Sequence, residues 1–125
     1  MRIPIGLAGR AVLVVTEADT ATAMGSGDVP VLGTPRLIAL CEEASCRALD
    51  DELEPGTTSV GWRVQFDHLA PTAVGGQVVV DAVLERVEGR RLTFALSASD
   101  ASGLVGAGKV TRVLVDVESF LRRPT

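Results

Sequence analysis

The stretch TPRLIALCEEASCRALDDELEPG, residues 34–56, decides the fold, because it carries the one long helical pattern of the chain. Thr34 predicts an N-cap, Pro35 suits the first helical position, and Pro55-Gly56 predicts the end of the helix. A wide apolar stripe follows one side of this helix, formed by Leu37, Ile38, Leu40, Cys41, Ala44 and Ala48. Such a stripe has to be buried, so we expect this helix to be the most buried one of the domain.

Strand patterns occupy most of the remaining sequence. One precedes the helix at residues 10–17, and four follow it, at residues 58–70, 77–89, 89–100 and 101–120. Along the first of these four, Val60, Trp62, Val64 and Phe66 recur at every second position and are expected on one face. One apolar helix cannot bury its stripe alone, and an antiparallel sheet needs one covered face. The sequence therefore predicts an α+β fold in which an antiparallel β-sheet wraps around one central α-helix, as in the hotdog fold. An open α+β sandwich is the alternative.

Length and composition limit the classes of function. The 125 residues fit one domain, expected to span residues 1–125, and the net charge of −4 argues against a nucleic-acid partner. No apolar run reaches the length of a membrane span. Cys41 and Cys46 lie about 140° apart around a helix, so they cannot close an ordinary disulfide, and no nearby histidine completes a zinc site. We expect small buried thiols in a cytoplasmic protein that needs no metal and no cofactor.

The segment between the first strand and the helix, residues 18–33, is small, polar and contains glycine. The pattern predicts a long loop. Loops of this length are uncommon in compact domains and are often lids or binding loops. We therefore expect residues 18–33 to cover a binding pocket.

His68 is the only histidine and stands where the second strand pattern gives way to a turn. It shares its parity with Val64 and Phe66, so the imidazole is expected to extend the apolar face, whereas Asp67 points the other way. Two interpretations remain open at this point. His68 is either a hydrogen-bonded or half-solvated residue at a strand end, or a catalytic group.

Two neighbouring glutamates of the helix have different surroundings. Glu43 has Arg47 four residues later, which predicts an ion pair on the helix surface. Glu42 borders the apolar stripe with no cation nearby on the helix, so it is either an exposed residue at the edge of the stripe or needs a partner from elsewhere. If the helix packs on the face that carries His68, a buried pair of Glu42 and His68 is the obvious solution.

The chain resembles the fluoroacetyl-CoA thioesterase-like group of hotdog proteins from about Thr16 to Phe120. The resemblance rests on the order and spacing of several motifs: TP at 34–35 with Glu42 eight residues after Thr34, TSVG at 58–61, HLAPT at 68–72, VEGRRLTF at 87–94 and SDASGLVGAG at 99–108. It implies an acyl-CoA thioesterase in which Thr34, Glu42 and His68 are the catalytic set. It also implies that Gly61 lines the site, where its missing Cβ lets the acyl group approach closely.

The residues are consistent with this chemistry. Thioester hydrolysis needs an activated water or nucleophile, a proton shuttle and donors for the oxyanion. Glu42 could be the base or nucleophile and His68 the shuttle, and the helix N-terminus near Thr34 could provide part of the oxyanion site. Four basic residues could bind CoA phosphates: Arg90, Arg91, Lys109 and Arg112. The other interpretation is that they are ordinary solvent-exposed charges at strand ends.

Two departures from the family concern specificity. Family members often carry a histidine in the last strand, in a pattern like G-x-G-x-H-x-R, whereas GAGKVTR has Val110 at that position and keeps Arg112. The fluoroacetyl-specific enzyme places phenylalanines in its lid, and residues 18–33 contain none. We therefore expect a small acyl thioester other than fluoroacetyl-CoA as the substrate.

Helix geometry also predicts the assembly. Thr34 and Glu42 are separated by about 12 Å along the axis, whereas a thioester carbonyl and its attacking water need only about 3 Å. Two chains solve this if their helices pack side by side across a two-fold axis. We expect a homodimer with sites at the subunit interface.

Two other functions remain open. One is a non-catalytic acyl-CoA-binding hotdog protein. Val110, which stands where family members often carry a histidine, is compatible with this alternative. The other is a dehydratase of hydroxyacyl thioesters, since HLAPTAVGG at 68–76 resembles the His-Pro-Gly stretch of those enzymes. In them the histidine precedes the helix, whereas here the helix comes first, which argues against the dehydratase.

Overall fold

A curled antiparallel sheet of five strands surrounds one main helix. The computed structural model describes residues 2–122. The strands are β1 (Ala8–Val14), β2 (Thr57–His68), β3 (Gln77–Glu88), β4 (Arg91–Asp100) and β5 (Gly103–Asp116), and the helices are α1 (Ala21–Met24), α2 (Thr34–Ala48) and α3 (Val117–Leu121). Across the sheet the strands follow the order β1-β3-β4-β5-β2, and every neighbouring pair is antiparallel. The predicted helix wrapped by a sheet is confirmed.

The apolar stripe of α2 forms the centre of the core. Leu37, Leu40, Cys41 and Ala44 are almost completely buried, and α2 packs mainly on β1 and β3. The helix can approach β1 closely because residue 9 is glycine: a Cβ there would overlap the backbone of Ala44 and Ala48. Burial of the helical stripe and of the inner faces of β3 and β4 is the main driving force for this fold.

Both ends of α2 differ from the sequence prediction. The N-cap is Gly33, and Thr34 is the first helical residue, so the prediction of Thr34 as a cap is wrong. The helix ends at Ala48, before the predicted stop at Pro55-Gly56. Asp50 and Asp51 are weak helix formers, and Leu49 is buried beside the core, so the chain turns there instead of continuing the helix.

A β-bulge interrupts β2 at Trp62. Gly61 pairs with Arg112 and Arg63 pairs with Thr111, so Trp62 is an extra residue without a partner in β5. The bulge breaks the alternation expected for this strand. Val60 and Trp62 therefore do not share a face with Val64 and Phe66, contrary to the prediction.

The segment predicted as a long loop, residues 18–33, is partly folded. It contains the end of a short 3-10 turn (Glu17–Asp19), the single turn α1 and two isolated β-bridges, Thr20 with Leu32 and Val31 with Ala73. Thr20 and Leu32 are buried. The segment is therefore anchored at both ends and folds back across the start of α2.

The last predicted strand is shorter than expected. β5 ends at Asp116, whose carboxylate accepts a hydrogen bond from the backbone N–H of Ser119 and caps the short helix α3. In the part of the chain that the structure describes, no helix has both the length and the apolar character needed to cross a membrane.

Candidate active site

Thr34 and His68 meet at the N-terminus of α2. The Thr34 Oγ1 lies 2.8 Å from His68 Nδ1, and the tautomer of the imidazole decides which of the two donates. Because Gly33 is the N-cap, the hydroxyl of Thr34 is not used to cap the helix and can bond to the histidine. The end of β2 and the first turn of α2 thus bring together two of the predicted catalytic residues.

The second nitrogen of His68 has a different environment. Within residues 2–122, Nε2 of His68 is the one buried side-chain nitrogen or oxygen atom without a hydrogen-bond partner. A buried polar atom without a partner is costly, and such atoms are often found at functional sites. One nitrogen of His68 is therefore oriented by Thr34, and the other has no partner among residues 2–122.

Glu42 lies in a second cluster, near the middle of α2. Its Oε2 accepts a hydrogen bond of 2.9 Å from Nη1 of Arg112, a residue of β5 that is 7% exposed. The carboxylate also lies against Gly61 of β2, where a Cβ would overlap Oε2. Glu42 thus has the distant partner that the sequence requires, but this partner is Arg112 and not His68.

Ser59 holds the guanidinium of Arg112 from the other side. Nε of Arg112 donates to Oγ of Ser59 at 2.8 Å, and Nη2 donates to the carbonyl oxygen of Ser59 at 2.9 Å. Three donors of the arginine are therefore occupied within the chain. This guanidinium is buried and pairs with a carboxylate, and substrate binding by Arg112 stays a prediction.

The predicted ion pair between Glu43 and Arg47 is confirmed. The carboxylate of Glu43 lies 3.9 Å from the guanidinium of Arg47, and both side chains are about half exposed. Such an ion pair contributes little to stability. Glu43 lies outside both clusters and faces solvent.

A cavity of about 280 Å³ opens beside Thr34 and His68. Its other walls come from the segment before α2 and from the turn after β2: Ala21, Ser26, Val31, Leu32, Leu69, Ala70 and Pro71. The lining is mostly small and aliphatic, and its polar side chains are those of Ser26, Thr34 and His68. A cavity of this kind accepts a short apolar group and offers few specific hydrogen bonds.

The structure does not bring Arg90 and Arg91 to these clusters. Arg91 lies on the outer face of the sheet, where its guanidinium stacks over the ring of Trp62 at 4.2 Å from the centroid. Arg90 donates to the carbonyl oxygen of Leu114 near the end of β5. Lys109 pairs with Glu85 on the outer face at 2.6 Å. CoA phosphate binding by Arg90 and Arg91 stays a prediction.

Sequence patterns did not single out Ser59 and did not indicate the partner of Arg112. Ser59 carried no recognisable signal, since serine is common in strands and its role depends on Arg112. The partner of Arg112 on α2 is 70 residues away in the sequence, so residue spacing does not predict this pair. Val110, in the place of the family histidine, is buried in the core.

The two cysteines behave as expected for small thiols without a disulfide. Both are free, Cys41 is buried, and Cys46 is partly exposed. Burial, assisted by the nearby charge of Glu42, raises the pKa of Cys41 to about 12. Cys41 is therefore a protonated, inert thiol at neutral pH. Among residues 2–122, no three side chains of the His, Cys, Asp and Glu types form a group that could hold a metal ion.

The sequence of this chain matches one protein family. The model of the fluoroacetyl-CoA-specific thioesterase family matches residues 15–118. The chain is 39% identical over 90 residues to the fluoroacetyl-CoA thioesterase of Streptantibioticus cattleyicolor, a match that covers 72% of this chain and 65% of that enzyme.

Solved structures agree with the sequence match. A structure of a fluoroacetyl-CoA thioesterase superposes with a TM-score of 0.90 at 30% identity and covers 99% of this chain and 100% of that one. A hot-dog-like protein from Thermanaerovibrio acidaminovorans gives 0.88 at 30% identity, covering 96% and 89%. A thioesterase superfamily member from Thermus thermophilus gives 0.88 at 29% identity, covering 98% and 93%. The fold is the predicted hotdog fold, and the chain belongs to the fluoroacetyl-CoA-specific thioesterase family.

Proposed function

We propose that this chain is a single-domain acyl-CoA thioesterase that hydrolyses a small acyl thioester other than fluoroacetyl-CoA. One observation carries the proposal: Thr34 is hydrogen-bonded to His68 at the N-terminus of α2, beside a small aliphatic cavity. The family supports a thioester as the substrate. Several relatives are named for fluoroacetyl-CoA, and one was solved with fluoroacetate and CoA.

The roles proposed for the residues follow from their contacts. Glu42 takes a proton from the attacking water, or attacks the thioester carbonyl and forms an anhydride that water then hydrolyses, and His68 donates a proton to the departing thiolate of CoA. Thr34 orients the imidazole through Nδ1, and the N-terminus of α2, where no side chain caps the helix, provides N–H groups for the oxyanion. Gly61 lines the site, and its missing Cβ lets the carboxylate of Glu42 lie against the backbone of β2.

We propose a homodimer with composite sites, because one chain keeps its catalytic groups in two separate clusters. Thr34 bonds to His68, whereas Glu42 bonds to Arg112. A two-fold axis would bring the Thr34–His68 cluster of one chain to Glu42 of the other. β2 lies at the edge of the sheet, and its inner-face Val64 is 39% exposed. An unpaired edge and exposed apolar side chains favour burial against a second copy.

The substrate range follows from the lid segment, residues 18–33. Its aliphatic cavity walls contain no aromatic ring, and the segment holds no phenylalanine. Without an aromatic wall, we expect the site to accept several short aliphatic acyl groups instead of recognising one fluorinated group.

The experiment is a hydrolysis assay with a panel of short-chain acyl-CoAs and fluoroacetyl-CoA. The reaction is monitored through the loss of thioester absorbance. A thiol reagent such as DTNB can detect the released CoA if Cys46 is first replaced by serine, because Cys46 is the more accessible thiol. Release of CoA from the short acyl-CoAs supports the proposal. Tight binding without release would instead identify a non-catalytic acyl-CoA-binding protein, and hydration of enoyl thioesters would identify a dehydratase.

A further inference from the structure

The three residues Ser59, Arg112 and Glu42 form a continuous hydrogen-bonded chain from β2 through β5 to α2. Ser59 accepts two hydrogen bonds from Arg112, and Arg112 donates a third to Glu42. Ser59 and Arg112 are both buried, whereas the side chain of Glu42 is 36% exposed. The buried end of this chain is rigid, and its accessible end is the carboxylate.

The geometry at Glu42 is asymmetric. Oε2 is fixed by Arg112 and by the close approach of Gly61. Among the described residues, no donor contacts Oε1. A carboxylate held through one oxygen has a defined rotation about its last side-chain bond and presents the other oxygen in one direction.

The chemistry of arginine explains why this residue can serve as the clamp. A guanidinium has a planar fork of donors and stays charged at any pH at which proteins are folded. Two arms of the fork are used on Ser59, which fixes the plane, and one arm remains for Glu42. Lysine would keep the charge but lose this fork.

On the basis of the proposed function, we infer that Arg112, anchored by Ser59, is a positioning residue that orients Glu42 so that its Oε1 faces the reacting carbonyl. Arg112 acts through Glu42 and does not hold the CoA phosphates. Arg112 therefore contributes to the rate of the reaction and does not contribute to the affinity for CoA.

The test compares kcat, KM and the Kd for free CoA in wild type, Arg112→Ala, Arg112→Lys and Ser59→Ala. We expect Arg112→Ala to lower kcat by about 10- to 100-fold and to leave KM and the Kd for CoA within about two-fold of wild type. Arg112→Lys should recover only part of kcat, because it lacks the fork. Ser59→Ala should cost about several-fold, since the carbonyl oxygen of residue 59 still accepts one bond.

Rescue of activity by a free guanidinium compound distinguishes a positioning role of Arg112 from a purely structural one. Millimolar ethylguanidinium should raise the kcat of Arg112→Ala but not that of Glu42→Ala. Arg10→Ala is the matched control, because Arg10 is an exposed arginine that pairs with Asp81 on the opposite part of the sheet. It should keep wild-type kcat and ignore ethylguanidinium.

The outcomes separate the two proposals. A wild-type protein that hydrolyses no thioester overturns the proposed function and this inference with it. An active wild type whose Arg112→Ala variant keeps its kcat, or loses affinity for CoA instead of rate, overturns the inference alone. If Arg112→Ala does not fold, the same comparison is made with Arg112→Lys and Ser59→Ala, and an unchanged kcat in both overturns the inference.

Discussion

Thr34 and His68 are 34 positions apart in the sequence, yet the hydroxyl of one and Nδ1 of the other lie 2.8 Å apart. The bond connects the first turn of α2 to the last residue of β2. It fixes the imidazole ring in relation to the helix N-terminus, where the oxyanion is proposed to form. The predictions start from this contact.

Removing the hydroxyl of Thr34 should slow hydrolysis because the imidazole loses its orientation. We expect Thr34→Val to lower kcat by about 10- to 100-fold with little change in thermal stability, since Gly33 and not Thr34 caps the helix. Thr34→Ser keeps the hydroxyl and is the control. Steady-state kinetics and thermal unfolding check both points, and equal activity of the Val and Ser variants would remove the hydrogen bond from the mechanism.

The two adjacent glutamates should differ sharply. Glu42→Ala and His68→Ala should each lower kcat by at least about 100-fold, the usual scale for general acid–base groups. Glu43→Ala should stay near wild type, because the one charged partner of Glu43 within the described residues is the exposed Arg47. Kinetics of the three variants measure this. Similar losses for Glu42→Ala and Glu43→Ala would contradict the assignment.

Composite sites predict complementation between two inactive proteins. Thr34→Ala and Glu42→Ala homodimers are mixed, allowed to exchange subunits, and assayed. Each heterodimer then has one intact site and one doubly damaged site, so up to about half of the wild-type activity per heterodimer should return. Verified heterodimers without activity, or a monomer in sedimentation, would refute the shared site.

The segment 18–33 should become protected when ligand binds. Four of its residues, Ala21, Ser26, Val31 and Leu32, line the cavity beside His68. Hydrogen exchange measured with and without a non-hydrolysable acyl-CoA analogue should slow in this segment, and β4 serves as the internal control. Unchanged exchange in residues 18–33 would show that the segment is not a lid.

The hydrogen bond from Thr72 to Asp100 should make stability depend on pH. The hydroxyl of Thr72 donates to the carboxylate at 2.8 Å, and this bond, together with backbone N–H donors such as that of Ser102, lowers the pKa of Asp100 from 3.8. A lowered pKa stabilises the fold above the unfolded value, and that contribution is lost as the pH falls through the folded value.

Thr72→Val should therefore have a lower Tm than wild type at neutral pH, and the difference should shrink below pH 3.8. Thr93→Val is the control, because Thr93 bonds to the uncharged Thr111 and its effect should not vary with pH. Thermal unfolding across this range provides the measurement. A Thr72→Val difference that stays constant in acid would exclude the contribution of Asp100.

Local patterns predicted the fold well because each element carries its own signal. The stripe of α2 is a property of neighbouring residues, and the burial of Leu37, Leu40 and Ala44 confirms it. The errors arose where a boundary depends on tertiary contacts. Leu49 turns into the core before the sequence shows a helix stop.

The site was less predictable, since its contacts join distant elements. The residues singled out on α2 and β2 do lie in two clusters, but the partners of Glu42 and Arg112 differ from those expected. A spacing rule could pair Glu43 with Arg47 on one helix. No rule of that kind connects Glu42 with Arg112, because only the strand order places β5 beside β2, from where Arg112 reaches Glu42.

The bulge at Trp62 sets a constraint on the length of β2. Gly61 and His68 are separated by an odd number of positions, which in a regular strand would place them on opposite faces, yet both face α2. The extra residue of the bulge shifts the alternation by one position, so Gly61 and His68 lie on the same face. Deleting Trp62 would leave every other side chain intact and still turn either Gly61 or His68 away from the helix. In this segment an insertion or deletion of one residue is thus more damaging than many substitutions, and the number of residues is itself part of the site.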